Sequence, residues 1–125
     1  MSNKTDIQTL EDVKTLVDQF YGKVRQDELL APVFEERIQD RWPVHLAKMY
    51  QFWQTILLGE NTYKGRPFPP HATLDVNETH FNRWVALFKG TIDEYFEGEK
   101  AEEAKWRADK MSELFQIKRS HFNIG

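Results

Sequence analysis

The sequence predicts an all-α protein that forms one domain over residues 1–125. Apolar residues recur every three or four positions in several long segments, which is the period of an amphipathic helix. No segment alternates apolar and polar residues as a half-buried strand would, and the sequence contains no repeat or low-complexity tract. A chain of 125 residues is long enough to build one hydrophobic core.

Two helices are predicted in the first third of the chain. The first spans about residues 9 to 25, with Thr9 as a suitable N-cap and Asp12 in an acidic first turn. Its apolar stripe consists of Leu10, Val13, Val17, Phe20, Tyr21 and Val24. A short turn or helix over residues 31–38 follows, because Pro32 suits a first helical position. Because Tyr21 belongs to the apolar stripe of the first helix, its side chain is expected on a buried face.

The third helix is predicted from about Pro43 to Gly59, a residue well suited to a left-handed C-terminal cap. Its apolar stripe consists of Trp42, His45, Leu46, Met49, Phe52, Trp53, Ile56 and Leu57. His45 therefore lies where a leucine would be expected.

Two more helices complete the prediction. Asn77 can cap a fourth helix that ends near Gly98, and a fifth helix covers about residues 100 to 120. The apolar face of the fourth helix consists of Phe81, Trp84, Val85, Phe88, Ile92 and Tyr95.

Charge and composition exclude several classes of function. With 17 basic and 20 acidic residues and a net charge of -3, the chain gives no electrostatic reason to expect nucleic acid or an anionic membrane as partner. The absence of cysteine excludes disulfides and thiolate metal sites. Residues 1–13 lack the apolar core of a signal peptide, and no run is long enough to span a bilayer. We expect a cytoplasmic monomer.

Tyr21, His45 and Trp84 each place a polar atom on a face that should be buried. Taken singly, each is best interpreted as an ordinary core residue. An unpaired buried donor costs about 1–3 kcal/mol, so three would consume much of a total stability of about 5–15 kcal/mol. One small polar ligand shared by all three would supply the missing partners. Their combination therefore favours a ligand site.

The irregular segment over residues 59–76 is long for a compact domain and is typical of a functional loop. Within it, Pro69 and Pro70 stiffen the approach to His71. A rigidly held neutral imidazole suits a metal ligand, although an exposed loop histidine is the alternative. Zinc normally takes three or four protein ligands, and the other histidines lack ligand spacing, so haem is favoured over a bare ion.

Four segments, in this order and spacing, resemble the truncated haemoglobins, and specifically their third group: FYGKVRQDELLAPVF, HLAKMYQFW, GRPFPPH and HFNRWVALF. The resemblance extends from about Val13 to Phe115. It implies a shortened globin fold, in which two helix pairs form a two-over-two sandwich around haem b (iron protoporphyrin IX). The chain lacks the paired glycines that mark the other truncated groups, which agrees with the third group.

The resemblance also implies a role for each candidate site residue. His71 matches the proximal histidine that binds the haem iron, and Lys48 matches a side chain that reaches a haem propionate. The polar cluster on the distal side, where the ligand binds, is matched by Tyr21, His45 and Trp84. Positions that pack on the porphyrin or line its distal side are matched by Phe34, Met49, Phe52 and Trp53.

These matches imply that the chain binds dioxygen or another diatomic ligand, with the Tyr21 hydroxyl and the Trp84 indole as hydrogen-bond donors. Tight binding with slow release would favour chemistry or sensing over oxygen transport. One alternative is a haem enzyme of peroxidase or nitric-oxide-oxidising type, which would need a separate reductase because the sequence has no GxGxxG motif. The other is a helical interaction module without a cofactor.

Overall fold

The computed structural model describes residues 4–59 and 77–124, and for residue 115 and residues 117–124 it describes the backbone only. The helices in these residues are α1 (Leu10–Val24), α2 (Ala31–Ile38), α3 (Trp42–Leu58), α4 (Glu78–Tyr95) and α5 (Glu99–Ile124). The two described ranges contain no strand, only an isolated bridge between Thr5 and Phe96. None of their helices is both long and apolar enough to cross a membrane. The all-α prediction is confirmed.

The helices pack as two pairs around one core. Helix α1 packs against α3, α4 packs against α5, and contacts between α1 and α4 join the two pairs. This arrangement agrees with the two-over-two sandwich that the sequence resemblance implies. The largest fully buried side chains include Phe20, Leu16, Leu57, Phe88 and Ile92. Helix α5 contacts α4 and α3, and it contributes three small buried residues to the core, namely Ala101, Ala104 and Ala108.

Local capping defines the N-terminal end of α1 and the C-terminal end of α3. The Thr9 side chain accepts a hydrogen bond from the Asp12 backbone N–H at 3.2 Å. The Asp12 carboxylate in turn accepts from the Thr9 N–H at 3.1 Å, which completes a capping box. Gly59 ends α3 with a φ of 73°, the left-handed conformation expected for a C-terminal cap. Both ends lie within one residue of their predicted positions.

Helix α4 begins after the predicted cap, Asn77, but ends at Tyr95, so the predicted end near Gly98 is wrong. Phe96 is extended, with φ and ψ of -138° and 156°, and its side chain is buried. The Glu97 N–H donates to the Thr5 carbonyl at 3.0 Å. The N-terminal segment thus pairs with this part of the chain and replaces the hydrogen bonds that another helical turn would have made.

The N-terminal segment also caps α5. The Asp6 carboxylate accepts hydrogen bonds from the backbone N–H groups of Lys100 and Ala101, both at 2.8 Å. The neighbouring Ile7 is almost fully buried. A carboxylate at a helix N-terminus satisfies free N–H groups and favours the helix dipole. Residues far apart in sequence therefore fix where α5 begins.

Gly98→Ala is expected to lower the free energy of unfolding by about 1–3 kcal/mol. Gly98 has a φ of 138°, and an added Cβ would lie 2.6 Å from Cγ of Asp6. Chemical denaturation measures the loss. Gly90→Ala is the matched control, because its Cβ would meet nothing within 4 Å and alanine is favoured inside a helix by about 0.5–1 kcal/mol. Equal effects of the two substitutions would contradict the prediction.

Candidate functional site

Rings from α1, α2, α3 and α4 form one continuous group, which we call the aromatic cluster. Neighbouring ring centroids in it lie 4.8–6.2 Å apart. Its members are Phe20, Tyr21, Phe34, Trp42, His45, Phe52, Trp53, Trp84 and Phe88. Eight of the seventeen Phe, Trp and Tyr residues in the sequence, together with His45, therefore meet at one place among α1, α2, α3 and α4.

Tyr21 lies where the first three helices meet. Its ring contacts Phe34 of α2 at 6.2 Å between centroids, and Trp42 and His45 of α3 at 5.7 and 5.1 Å. The ring is buried, as its position on the apolar stripe of α1 predicts. Burial raises the pKa of the Tyr21 hydroxyl well above its ordinary value. The hydroxyl therefore stays protonated and remains a potential hydrogen-bond donor at neutral pH.

His45 and Trp84 each carry a buried ring nitrogen that finds no hydrogen-bond partner among the described residues. These atoms are Nε2 of His45 and Nε1 of Trp84. Burial, with a smaller effect from the Lys48 cation, lowers the pKa of His45 to about 4, so its imidazole is neutral at pH 7. The indole nitrogen can only donate, so a partner for Trp84 must be an acceptor atom. A polar ligand could supply the missing partner of each nitrogen.

The remaining rings of the cluster form an apolar wall. Trp53 stacks on Phe88 with centroids 4.8 Å apart and planes 23° apart, and Phe88 lies nearly parallel to Trp84 at 5.8 Å. Phe20 meets Trp84 edge to face at 5.7 Å, which connects the α4 rings to Tyr21. Large flat side chains packed in this way suit one face of a flat apolar ligand.

The other predicted site residues differ in how deeply they are buried. Phe34 is buried within it, and Met49 is half-buried and packs against the core. Lys48 is exposed and acts on the His45 imidazole through its charge. His71 and the GRPFPPH segment lie outside the described residues. Among the side chains that are described, no three His, Asp or Glu residues could together hold a metal ion.

Trp42 was predicted on the apolar stripe of the third helix but not as a site residue, although its ring contacts both Tyr21 and His45. Its Nε1 donates a hydrogen bond to the Glu35 carboxylate at 3.2 Å, and its ring meets His45 edge to face at 5.8 Å. The available signal was its spacing, because Trp42 and His45 lie three residues apart and so share one face of α3. Trp42 is thus a further wall of the candidate site.

Three comparisons identify the family. A family model described as bacterial-like globin matches residues 6–117. The group 3 truncated haemoglobin ctb of Campylobacter jejuni is 33% identical over 110 residues, which cover 85% of this chain and 87% of that protein. A crystal structure of the group III truncated haemoglobin from Campylobacter jejuni matches with a TM-score of 0.84 and 31% identity, covering 92% of this chain and 94% of that one. The chain belongs to the bacterial-like globin family, and within it to the group 3 truncated haemoglobins.

Proposed function

We propose that this globin binds haem b through His71 and holds dioxygen or another diatomic ligand among Tyr21, His45 and Trp84. The observation that carries the proposal is a pair of buried nitrogens in the aromatic cluster, His45 Nε2 and Trp84 Nε1, that have no hydrogen-bond partner within residues 4–59 and 77–124. Buried polar atoms are normally hydrogen-bonded, so this pair is best explained by a ligand. The relatives found by comparison are named haemoglobins, which supports the choice of cofactor.

The described side chains are of the kinds that bind a porphyrin. Buried aromatic side chains from two helix pairs offer apolar faces to a large flat ring. Under this proposal the porphyrin would contact Phe34, Met49, Phe52 and Trp53. Lys48 is exposed on the same helix as His45, so its ammonium group is available to a propionate at the solvent edge. Haem, when bound, supplies an iron with one coordination position for the diatomic ligand.

The chain's own residues would then determine how tightly the ligand is held. The Trp84 indole and the Tyr21 hydroxyl are donors, and both can stabilise partial negative charge on the ligand. Because Tyr21 and Trp84 are less than one-tenth exposed, little water competes for these hydrogen bonds. His45 is neutral at pH 7, so it adds a hydrogen-bonding nitrogen without adding charge. The proposed consequence is tight binding and slow release.

His71→Ala is expected to abolish stable haem retention, because it removes the side chain that would hold the haem iron. The measurement is the visible absorption spectrum of protein supplied with haem, recorded oxidised, reduced and with carbon monoxide. The wild-type protein should show a sharp Soret band that shifts at each step. The variant should lose the band on gel filtration and regain part of it when free imidazole is added.

His80→Ala is the matched control. The His80 ring accepts a hydrogen bond from the Asn77 N–H at 3.1 Å at the start of α4 and lies outside the aromatic cluster. Its removal should leave the spectrum unchanged. A wild-type protein without any specific Soret band would overturn the proposal and favour a helical module without cofactor. A His71→Ala protein that retains haem like the wild type would reject His71 as the ligand.

A further inference from the structure

An ion pair on the surface is connected to the buried wall of the candidate site. Glu35 of α2 uses one carboxylate oxygen, Oε1, to accept from Arg25 Nε at 3.0 Å. Its other oxygen, Oε2, accepts from Trp42 Nε1 at 3.2 Å. The guanidinium carbon of Arg25 lies 4.5 Å from the centroid of the Trp42 ring. We call these three residues the Arg25–Glu35–Trp42 triad.

The triad differs from an ordinary surface salt bridge because its carboxylate also accepts a hydrogen bond from a buried indole. The side chains of Arg25 and Glu35 are 48% and 43% exposed, and an exposed ion pair of this kind contributes little to stability. Trp42, however, is only 5% exposed, and its indole N–H finds its acceptor in Glu35. The Glu35 carboxylate is therefore the hydrogen-bond partner of a buried ring as well as one half of a surface ion pair.

The Trp42 ring, which is hydrogen-bonded to Glu35, also contacts the polar residues of the site. It meets Tyr21 at 5.7 Å and His45 at 5.8 Å between centroids, edge to face in both cases. Close-packed rings move together, because a shift of one leaves a void or a clash at its neighbours. A displaced Trp42 would therefore change the positions of the Tyr21 hydroxyl and the His45 imidazole.

We propose that Glu35 is a positioning residue, which holds Trp42 against Tyr21 and His45 and so sets the geometry of the polar side of the site. The triad joins the C-terminal end of α1, the short helix α2 and the first residue of α3. Part of this inference, the effect on ligand release, rests on the proposed function. The effect on the rings themselves does not.

The first test is nuclear magnetic resonance of the wild-type, Glu35→Ala, Glu35→Gln and Glu36→Ala proteins. The Trp42 indole N–H resonance, assigned with Trp42→Phe, should move upfield in Glu35→Ala because its acceptor is lost. The ring resonances of Tyr21 and His45 should shift as well. Glu35→Gln keeps an acceptor oxygen for the indole and should restore most of the wild-type positions. Glu36→Ala is the control, because Glu36 is an exposed neighbour on the same helix.

The second test is the rate of dioxygen dissociation from the haem-loaded proteins. Glu35→Ala should change this rate roughly 3- to 10-fold, the effect of weakening one hydrogen bond, while Glu36→Ala should leave it unchanged. The inference is overturned if the Tyr21 and His45 resonances move no more in Glu35→Ala than they do in Glu36→Ala. Ring shifts that Glu35→Gln fails to restore would also overturn it, since these would indicate general loosening. If the wild type binds no haem, the proposed function fails, and the ring resonances still decide the role of Glu35.

Discussion

Replacing Tyr21 by phenylalanine should accelerate dioxygen dissociation roughly 10- to 100-fold, the effect of one hydrogen bond to a partly charged acceptor. The substitution removes only the hydroxyl, so the ring keeps its edge-to-face contacts with Trp42 and His45. Burial keeps the wild-type hydroxyl protonated, which makes it a donor over the whole neutral range. Its loss would leave the proposed ligand with one donor fewer, at a site where Tyr21 and Trp84 are less than one-tenth exposed and little water can replace it.

Stopped-flow displacement of dioxygen by carbon monoxide measures this rate. Tyr50→Phe is the matched control, because the Tyr50 hydroxyl donates to Asp18 between α1 and α3 and lies outside the aromatic cluster. Dissociation of carbon monoxide should change less than that of dioxygen, because carbon monoxide carries less negative charge. An off-rate in Tyr21→Phe equal to that in Tyr50→Phe would remove Tyr21 from the proposed ligand contacts.

The helices were predictable from the sequence wherever a cap is local. Thr9 and Asp12 form their capping box within four residues, and Gly59 takes up the left-handed conformation that glycine allows. The end of α4 was not predictable in this way. It depends on the pairing of Thr5 with residues 96 and 97, which lie some ninety positions further along the chain. Periodicity carries no information about such a contact.

The candidate site was predictable to a similar extent. Helical period placed Tyr21 and Trp84 on buried faces, and the structure buries both. It also placed His45 on the apolar stripe of α3, where its Nε2 is buried. The period does not give the partners of charged residues, so it did not indicate that Glu35 accepts a hydrogen bond from Trp42. The ligand role of His71 stays a prediction from the sequence, since the residue lies outside the described ranges.

Asp27→Ala should lower the free energy of unfolding by about 2–4 kcal/mol, because it leaves buried backbone donors without an acceptor. The carboxylate of Asp27 accepts from the N–H groups of Leu29 and Leu30, at 3.2 and 3.0 Å, in the turn between α1 and α2. It also accepts from Arg83 Nε at 2.7 Å, which ties this turn to α4 next to Trp84. Chemical denaturation measures the loss.

Two control variants distinguish the stability that comes from the buried Asp27 carboxylate from the stability that comes from surface ion pairs. Asp109→Ala breaks an exposed ion pair with Lys89 and should cost less than about 1 kcal/mol. Arg83→Gln should cost less than Asp27→Ala, because the Arg83 side chain is half exposed and the turn keeps its acceptor. If all three substitutions cost the same, the buried hydrogen bonds to the turn are not the source of the stability.

The stability from Asp27 should also depend on pH in a definite direction. The hydrogen bond from Arg83, and to a smaller extent the backbone N–H groups, lower the pKa of Asp27 below its ordinary value although burial opposes them. The unfolded chain therefore binds the proton more tightly than the folded one, so the contribution is complete above the unfolded pKa of about 4. It is lost as the pH falls through the lower folded pKa. The difference in the free energy of unfolding between wild type and Asp27→Ala should accordingly be constant from pH 5 to 7 and shrink below about pH 4. A difference that grew on acidification would contradict the assigned charge state.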